Sequence, residues 1–354
     1  MTNDNFEPVI TQRKFCDVSL DDPFFDSLKE GYSEFVDWFL RKKDERAYVS
    51  YDEGGGVQGF LYIKREFGPV RDVEPALEVV ECLKVGTFKV NAHGTKLGER
   101  FVKIITDSLL NSGLSVAYLT VFPEHKPLIR ILERFGFVRI GKKSTENGIE
   151  DVYVKDFNKV TGDSQRDYPI VNGKNNKKWL LAIRPEYHTN LFPDSILKNE
   201  SPLMLEDIPS TNSIYKVYVG GYVNFNELSK GDNLIIYRTS DGHGPARFRA
   251  VITSLCSVVE VRPARSFKSE GEFIEFCQRY SVFDENELRE HYRKSNYAVK
   301  ISYNIAFSRR PNRGELIDNG VIDKDKYIGL YPLSDEAFKT ALKLGEVREG
   351  AVIN

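Results

Sequence analysis

No apolar run in this chain of 354 residues approaches the roughly 18 residues a helix needs to cross a bilayer, so no membrane partner is expected. Cysteine is scarce and solitary. Cys16, Cys82, Cys256 and Cys277 form no CxxC pair, which argues against a disulfide framework and a zinc knuckle and leaves them as small buried hydrophobes. His93, His125, His188, His243 and His291 are dispersed without ligand neighbours at helical spacing, so no metal is expected. Neither sign of charge dominates: 50 Lys and Arg stand against 52 Asp and Glu. Any case for nucleic acid must therefore rest on local patches. Internal repeats and low-complexity tracts are absent. The opening residues MTNDNFEPVITQ carry neither a basic nor an apolar signal region, and cytoplasm is the expected compartment.

What is present is enough chain for two cores. Residues 158–178 lose periodicity and gather Gly, Asn, Asp and Lys between apolar strands, which marks a linker. The expected organisation is a domain over residues 1–157, a linker over 158–178 and a second domain over 179–354, with homo-oligomerisation left open.

In the first part, helical spacing of apolar residues predicts one amphipathic helix over residues 24–41. Two β-rich runs around Asp52-Glu53-Gly54-Gly55-Gly56 predict a hairpin. Residues 77–90 then read as strand, 97–110 as helix, 114–122 as strand and 128–135 as helix, and residues 138–140 with 152–154 as a closing hairpin. The turn between the strand ending at Val90 and the helix opening at Leu97 lies where amides at a helix N-terminus can hold a pyrophosphate. The fold class expected here is α/β with a mixed sheet flanked by helices.

This order of elements, with the ERFGF ending at Phe137, resembles the GNAT superfamily of N-acetyltransferases over about residues 8–157. The family's Gln/Arg-x-x-Gly-x-Gly/Ala turn aligns with His93, Gly94, Thr95, Lys96, Leu97 and Gly98. His93 stands at the Gln/Arg position and Lys96 at the first Gly. The resemblance implies that acetyl-CoA is held by these six residues and by Phe88, Lys89 and Val90 of the preceding strand. The family's acid position in the last helix falls on Leu132. An amine nucleophile must lose a proton near neutral pH, so Glu81 is expected as base and Tyr118 or His125 as proton donor to the departing thiolate.

Beyond the linker the chain reads as strands with irregular connections and a helical insert over residues 270–293. Trp179-Leu180-Leu181-Ala182-Ile183-Arg184-Pro185-Glu186-Tyr187 and the Gly231-Asp232 turn with its following strand resemble ASCH and EVE members of the PUA-like superfamily, over residues 179 to about 333. The resemblance implies a small β-barrel with helical additions and an RNA or modified-base ligand. Arginines and lysines interleaved with aromatics are what single strands need, and Arg184, Arg238, Arg247, Arg249, Lys300 and Arg309 are the expected contacts.

The expected function is an acetyl-CoA-dependent N-acetyltransferase whose PUA-like domain recruits RNA or another nucleic acid. Two alternatives stay open: a nucleic-acid or modified-base reader with a non-catalytic GNAT fold, and an acetyltransferase acting on protein or small-molecule amines.

Overall fold

The computed structural model describes residues 10–91, 96–195 and 213–353, and the chain divides into two units, Met1–Asp167 and Tyr168–Asn354.

Unit 1 grows from alternating strands. Its elements are β1 (Ile10–Lys14), α1 (Asp26–Gly31), α2 (Phe35–Arg41), β2 (Arg46–Tyr51), β3 (Val57–Phe67), β4 (Glu81–Val90), α3 (Leu97–Ser112), β5 (Val116–Val121), α4 (Lys126–Arg134), β6 (Val138–Thr145) and β7 (Gly148–Asp156). They form one seven-stranded sheet in the order β1-β2-β3-β4-β5-β7-β6. Every neighbouring pair is antiparallel except β4 and β5. Side chains of a strand alternate between faces, and each face has its own core. Leu61, Leu83, Val85, Ala117, Leu119 and Val121 meet Leu97, Phe101 and Ile105 of α3 and Ile129 and Leu132 of α4. On the other face Phe60 and Tyr62 pack with Phe35 and Phe39 of α2. Farther along that face, Cys82, Tyr118 and Val152 lie under Val70, Val73 and Leu77.

The helix expected over residues 24–41 is two helices. Gly31 weakens the helical preference and Tyr32 turns extended at φ −137° and ψ 106°, which ends α1 before α2 begins. The closing hairpin is longer than expected, with Gly148 at φ +130° beside its turn.

Unit 2 holds β8 (Val171–Asn172), β9 (Lys178–Ile183), α5 (Pro185–Leu191), β10 (Tyr215–Gly220), β11 (Asn233–Arg238), α6 (Ala246–Arg249), β12 (Val251–Pro263), α7 (Glu270–Gln278), α8 (Glu285–Arg293), β13 (Tyr297–Ala306), α9 (Arg313–Asp318), β14 (Leu330–Leu333), α10 (Asp335–Leu344) and β15 (Val352–Ile353). The helical insert is the pair α7 and α8, with Phe273, Ile274, Cys277 and Leu288 against Val217, Val219 and Ala298 of β10 and β13.

The expected barrel is not formed. Six strands make an open sheet in the order β10-β13-β12-β11-β9-β14. Register shifts at Leu255/Cys256 and Val258/Glu260 bend the thirteen-residue β12. They do not bring the edges β10 and β14 together, and β14 is only four residues long.

The stretch expected as a linker is folded on both sides of the unit boundary. Asp167 caps a turn by accepting the Thr161 and Gly162 amides at 2.8 and 2.7 Å. Tyr168 is buried and donates its hydroxyl to the Tyr303 carbonyl at 2.9 Å, and β8 pairs with β15. Polar turn residues here satisfy local backbone rather than a solvated spacer.

Candidate functional site

The parallel pair β4 and β5 is joined by only three rungs, Leu83 with Ala117, Lys84 with Tyr118 and Val85 with Leu119. Past these rungs β4 continues along β3 to Val90 and β5 continues along β7 to Val121. The parting has a local cause. On β3, Tyr62 opposes Thr87 and Ile63 opposes Val85, so Gly86 is an extra, bulged residue. A Cβ at Gly86 would stand 2.7 Å from the Tyr62 ring, which reserves the position for glycine. A bulge bends its strand and ends pairing, and here it opens a wedge between β4 and β5.

The N-terminus of α3 lies at the same end of the sheet, because Leu97, its first residue, packs against Gly59, the β3 partner of Val90. Leu97 is buried, and a Cβ at Gly98 would come within 2.8 Å of the Ile131 methyl of α4. Gly98 therefore lets the two helices close behind the wedge. Of the expected cofactor residues, Phe88 packs edge-on to Phe101 at 5.6 Å and Val90 joins the same core. Lys89 points to the opposite face, where its ammonium bonds the Phe24 carbonyl and the Ser27 hydroxyl. Burial holds the Lys89 pKa below its ordinary value. Lys96 is the N-cap of α3 and offers no side-chain cap. His93, Gly94 and Thr95 lie outside the described residues.

The opposite face of the wedge is polar. On the middle rung, Tyr118 donates its hydroxyl to Glu66, and the Lys84 ammonium stands 3.5 Å from the same carboxylate oxygen and 5.2 Å from the Tyr118 ring. Lys64 pairs with the second oxygen at 3.4 Å. Burial raises the Glu66 pKa, but the Tyr118 hydroxyl and the two lysines outweigh it, so the carboxyl lies below its ordinary range. Burial, and then the Glu66 carboxylate, push the Tyr118 phenol far above its ordinary range. Burial lowers Lys84, and burial pushes the Cys82 thiol up to about 11.

One residue beyond the last rung, Thr120 donates its hydroxyl to Glu150 of β7 at 2.8 Å, and Tyr32 donates to the other Glu150 oxygen at 2.9 Å. Glu150 is 5% exposed. Tyr32 reaches it because the chain breaks between α1 and α2. Asn147 in the β6–β7 turn fastens that break, bonding the Ser33 amide at 3.5 Å and Glu34 at 3.0 Å. Phe122 lies 5.4 Å from the Tyr32 ring and 6.5 Å from His125, and Gly148 also borders it. Burial, followed by the Glu150 charge, raises the Tyr32 pKa well out of its ordinary range.

The three expected catalytic residues separate. Glu81 opens β4 and pairs with Arg65 at 3.1 Å. Strand rise puts it about 13 Å before the last rung, so it is remote from the wedge. Tyr118 lies beside the wedge, but its proton is engaged by Glu66 and it is fully buried. Its hydroxyl is bonded within the rung. His125 precedes α4, is exposed and makes no side-chain cap. Glu66 and Glu150 stand outside the expected set. Glu150 had a signal: it shares the inward phase of Val152 and Val154 on β7, where an apolar residue is the rule.

No protein-family model matches this chain, and no curated protein matches it. Solved structures do. A serine-to-alanine mutant of ZmASCH from Zymomonas mobilis is 11% identical, covers 48% of this chain and 97% of its own, and has a TM-score of 0.32. The NatC complex bound to Gag peptide and CoA is 18% identical, covering 42% of this chain and 98% of its own at a TM-score of 0.30. A GNAT-family acetyltransferase from Streptococcus agalactiae is 11% identical, covering 44% and 99% at a TM-score of 0.30. Acetyltransferases and an ASCH protein are thus among the solved structures similar to this chain, each over less than half of it.

In unit 2 the residues expected at nucleic acid are largely engaged within the protein. One Arg247 Nη donates to both Asp318 oxygens at 2.9 and 2.7 Å, Arg249 pairs with Asp241, and Arg309 pairs with Glu315. The Lys300 ammonium sits between the Tyr215 and Tyr280 rings at 4.7 and 4.8 Å. Arg238 is buried on β11, a strand whose six residues are all buried. Arg184 remains mostly exposed, 3.9 Å from Glu186. Among the described residues no group of three His, Cys, Asp or Glu could hold a metal ion, and no helix is long and apolar enough to cross a membrane.

Proposed function

We propose that unit 1 is an acetyl-CoA-dependent N-acetyltransferase. The observation that carries this reading is the wedge that the Gly86 bulge opens between β4 and β5, at the end of the sheet where α3 presents its N-terminus. Unpaired strand backbone can hydrogen-bond an extended amide chain, and a helix N-terminus favours a pyrophosphate. The combination fits coenzyme A, whose pantetheine arm carries amides and whose nucleotide end carries phosphates. The acetyl thioester then stands between an apolar face and the polar face of Tyr32, Thr120 and Glu150.

Chemistry in this reading is mostly positioning. The neutral amine attacks the thioester carbonyl; the carbon–nitrogen bond forms as the carbon–sulfur bond breaks, the nitrogen gives up a proton to water, and the sulfur leaves as thiolate and is reprotonated, so that amide and thiol are the products. In this reading His125, exposed beyond the end of β5, remains the proton donor to sulfur.

Recruitment of an RNA substrate by unit 2 has less support, since five of its six expected contacts are paired, stacked or buried. The reading is tested by incubating the full chain with labelled acetyl-CoA and separate pools of RNA, DNA, protein and small amines. Label in the protein or small-amine pool supports it, and absence of label in every pool counts against it.

A further inference from the structure

Lys178 carries a charge into the interior of unit 2. It opens β9 between Asn233 of β11 and Leu333 of β14, and its side chain is 7% exposed. The ammonium has one acceptor among the described residues, Asp335 at 2.5 Å, and that carboxylate is itself 73% exposed. Lys177 does not share the site, since its ammonium turns to the Glu227 carbonyl at 3.1 Å. An ammonium withdrawn from water is costly unless it is neutralised and its hydrogens are taken up. Of the three hydrogens on Lys178, the Asp335 bond takes one.

Lys178 lines an open pocket of about 210 Å³ with Lys174, from the loop after β8, and with Asp335, Phe338 and Lys339 from the first turns of α10. Lys174 and Lys339 are exposed and form no ion pair among the described residues. The bond from Lys178 holds the Asp335 carboxyl below its ordinary range, and Lys339 adds to the effect, so two ammoniums already share one carboxylate. With Lys174 the lining gathers three ammoniums against that single carboxylate, an excess of two positive charges.

That excess, with hydrogens left to give, complements a phosphate monoester, which near neutral pH carries about 1.5–2 negative charges and three acceptor oxygens. A backbone phosphodiester is singly charged and balances only part of it. Lysines bind phosphate as point charges and need no planar fork. Phe338, fully buried beneath the pocket, offers an apolar wall to the carbon side of an ester. The pocket lies at the opposite end of β9 from Arg184, about 20 Å away at the rise of a strand, and so stands apart from that expected nucleic-acid contact.

We propose that this pocket binds a small phosphate monoester, with Lys178 as the anchoring donor and Lys174 and Lys339 completing the charge. Asp335 keeps its bond to Lys178, and the phosphate oxygens take the remaining two hydrogens.

The test titrates glycerol 3-phosphate into the full chain by calorimetry at constant ionic strength, with and without acetyl-CoA. The wild type is expected to bind at one site with the same affinity in both cases. Dimethyl phosphate, a singly charged diester, is expected to bind at least about tenfold more weakly, as loss of charge-assisted bonds requires. Lys178→Met should abolish binding. Lys174→Glu combined with Lys339→Glu alters only exposed positions and should weaken binding at least about tenfold; if Lys178→Met does not fold, this variant decides. No binding by the wild type, equal binding of monoester and diester, displacement by acetyl-CoA, or unchanged affinity in the double variant overturns the proposal.

Discussion

Tyr32 and Glu150, 118 positions apart, meet hydroxyl to carboxylate at 2.9 Å. The bond exists because the N-terminal helix breaks at Gly31 and the last hairpin carries an acid in its inward phase. Together with Asn147 it fastens the α1–α2 break to the β6–β7 turn. Tyr32→Phe should leave Glu150 with the single Thr120 donor. The expected cost is about 1–2 kcal/mol, since the hydroxyl is removed from a buried carboxyl acceptor, and urea unfolding of the two proteins measures it.

Tyr118→Phe tests the half-buried Glu66 carboxylate. Glu66 keeps Lys64 and Lys84 but loses the phenol, which is one of the groups holding its pKa below the ordinary value. A carboxyl depressed in the folded state contributes stability above its unfolded pKa and loses it as pH falls through the folded value. Wild-type stability should therefore fall more steeply than that of Tyr118→Phe below about pH 4. Parallel curves would show that the phenol does not stabilise the charge.

Lys155 is buried at 4% exposure, and desolvation lowers its pKa from 10.5 to about 8. Its ammonium donates to the carbonyls of Phe135 and Arg166, joining the end of α4 to the turn that closes unit 1. The unfolded chain binds the proton more tightly, so the desolvation penalty is fully present below pH 8 and is relieved as pH rises toward 10.5. Relative to Lys155→Met, the wild type should gain up to roughly 3 kcal/mol across that window. A difference that does not change with pH contradicts the assignment.

Gly98 is a packing position as well as a turn position. A methyl group there meets Ile131 at 2.8 Å, and Ile131 lies on a helix already close-packed against α3. Gly98→Ala should destabilise by about 1–3 kcal/mol through overpacking, despite the better helix propensity of alanine. Thermal melts decide the sign. Paired restoration by Ile131→Val would locate the strain.

How much could be read in advance follows from range. The β2–β3 hairpin, α3, β5, α4 and the α7–α8 insert are each set by local periodicity and turn residues, and each appears near its expected place. The ERFGF ending is set equally locally: Gly136 takes φ +79°, and a side chain there would strike the Arg166 carbonyl. What was not legible depends on partners that only the folded chain brings together. The Gly86 bulge is visible only once β3 is laid against β4. The Arg65 partner of Glu81 is likewise visible only once β3 is laid against β4. The arginines of unit 2 looked like a basic surface because Asp241, Asp318 and Glu315, which neutralise them, stand 6 to 71 positions away. Closure of a barrel depends on whether two edges meet, and no local pattern encodes that.

The most direct test is a calorimetric titration of acetyl-CoA into the wild type and into Thr87→Trp, which places an indole just past the bulge that parts the strands. The wild type should bind at one site and, at roughly 100 times the Kd, gain about 2.7 kcal/mol of stability, whereas Thr87→Trp should stay folded and lose binding. No heat and no stabilisation in the wild type, or unchanged affinity in Thr87→Trp, would contradict an acetyl-CoA site between β4 and β5.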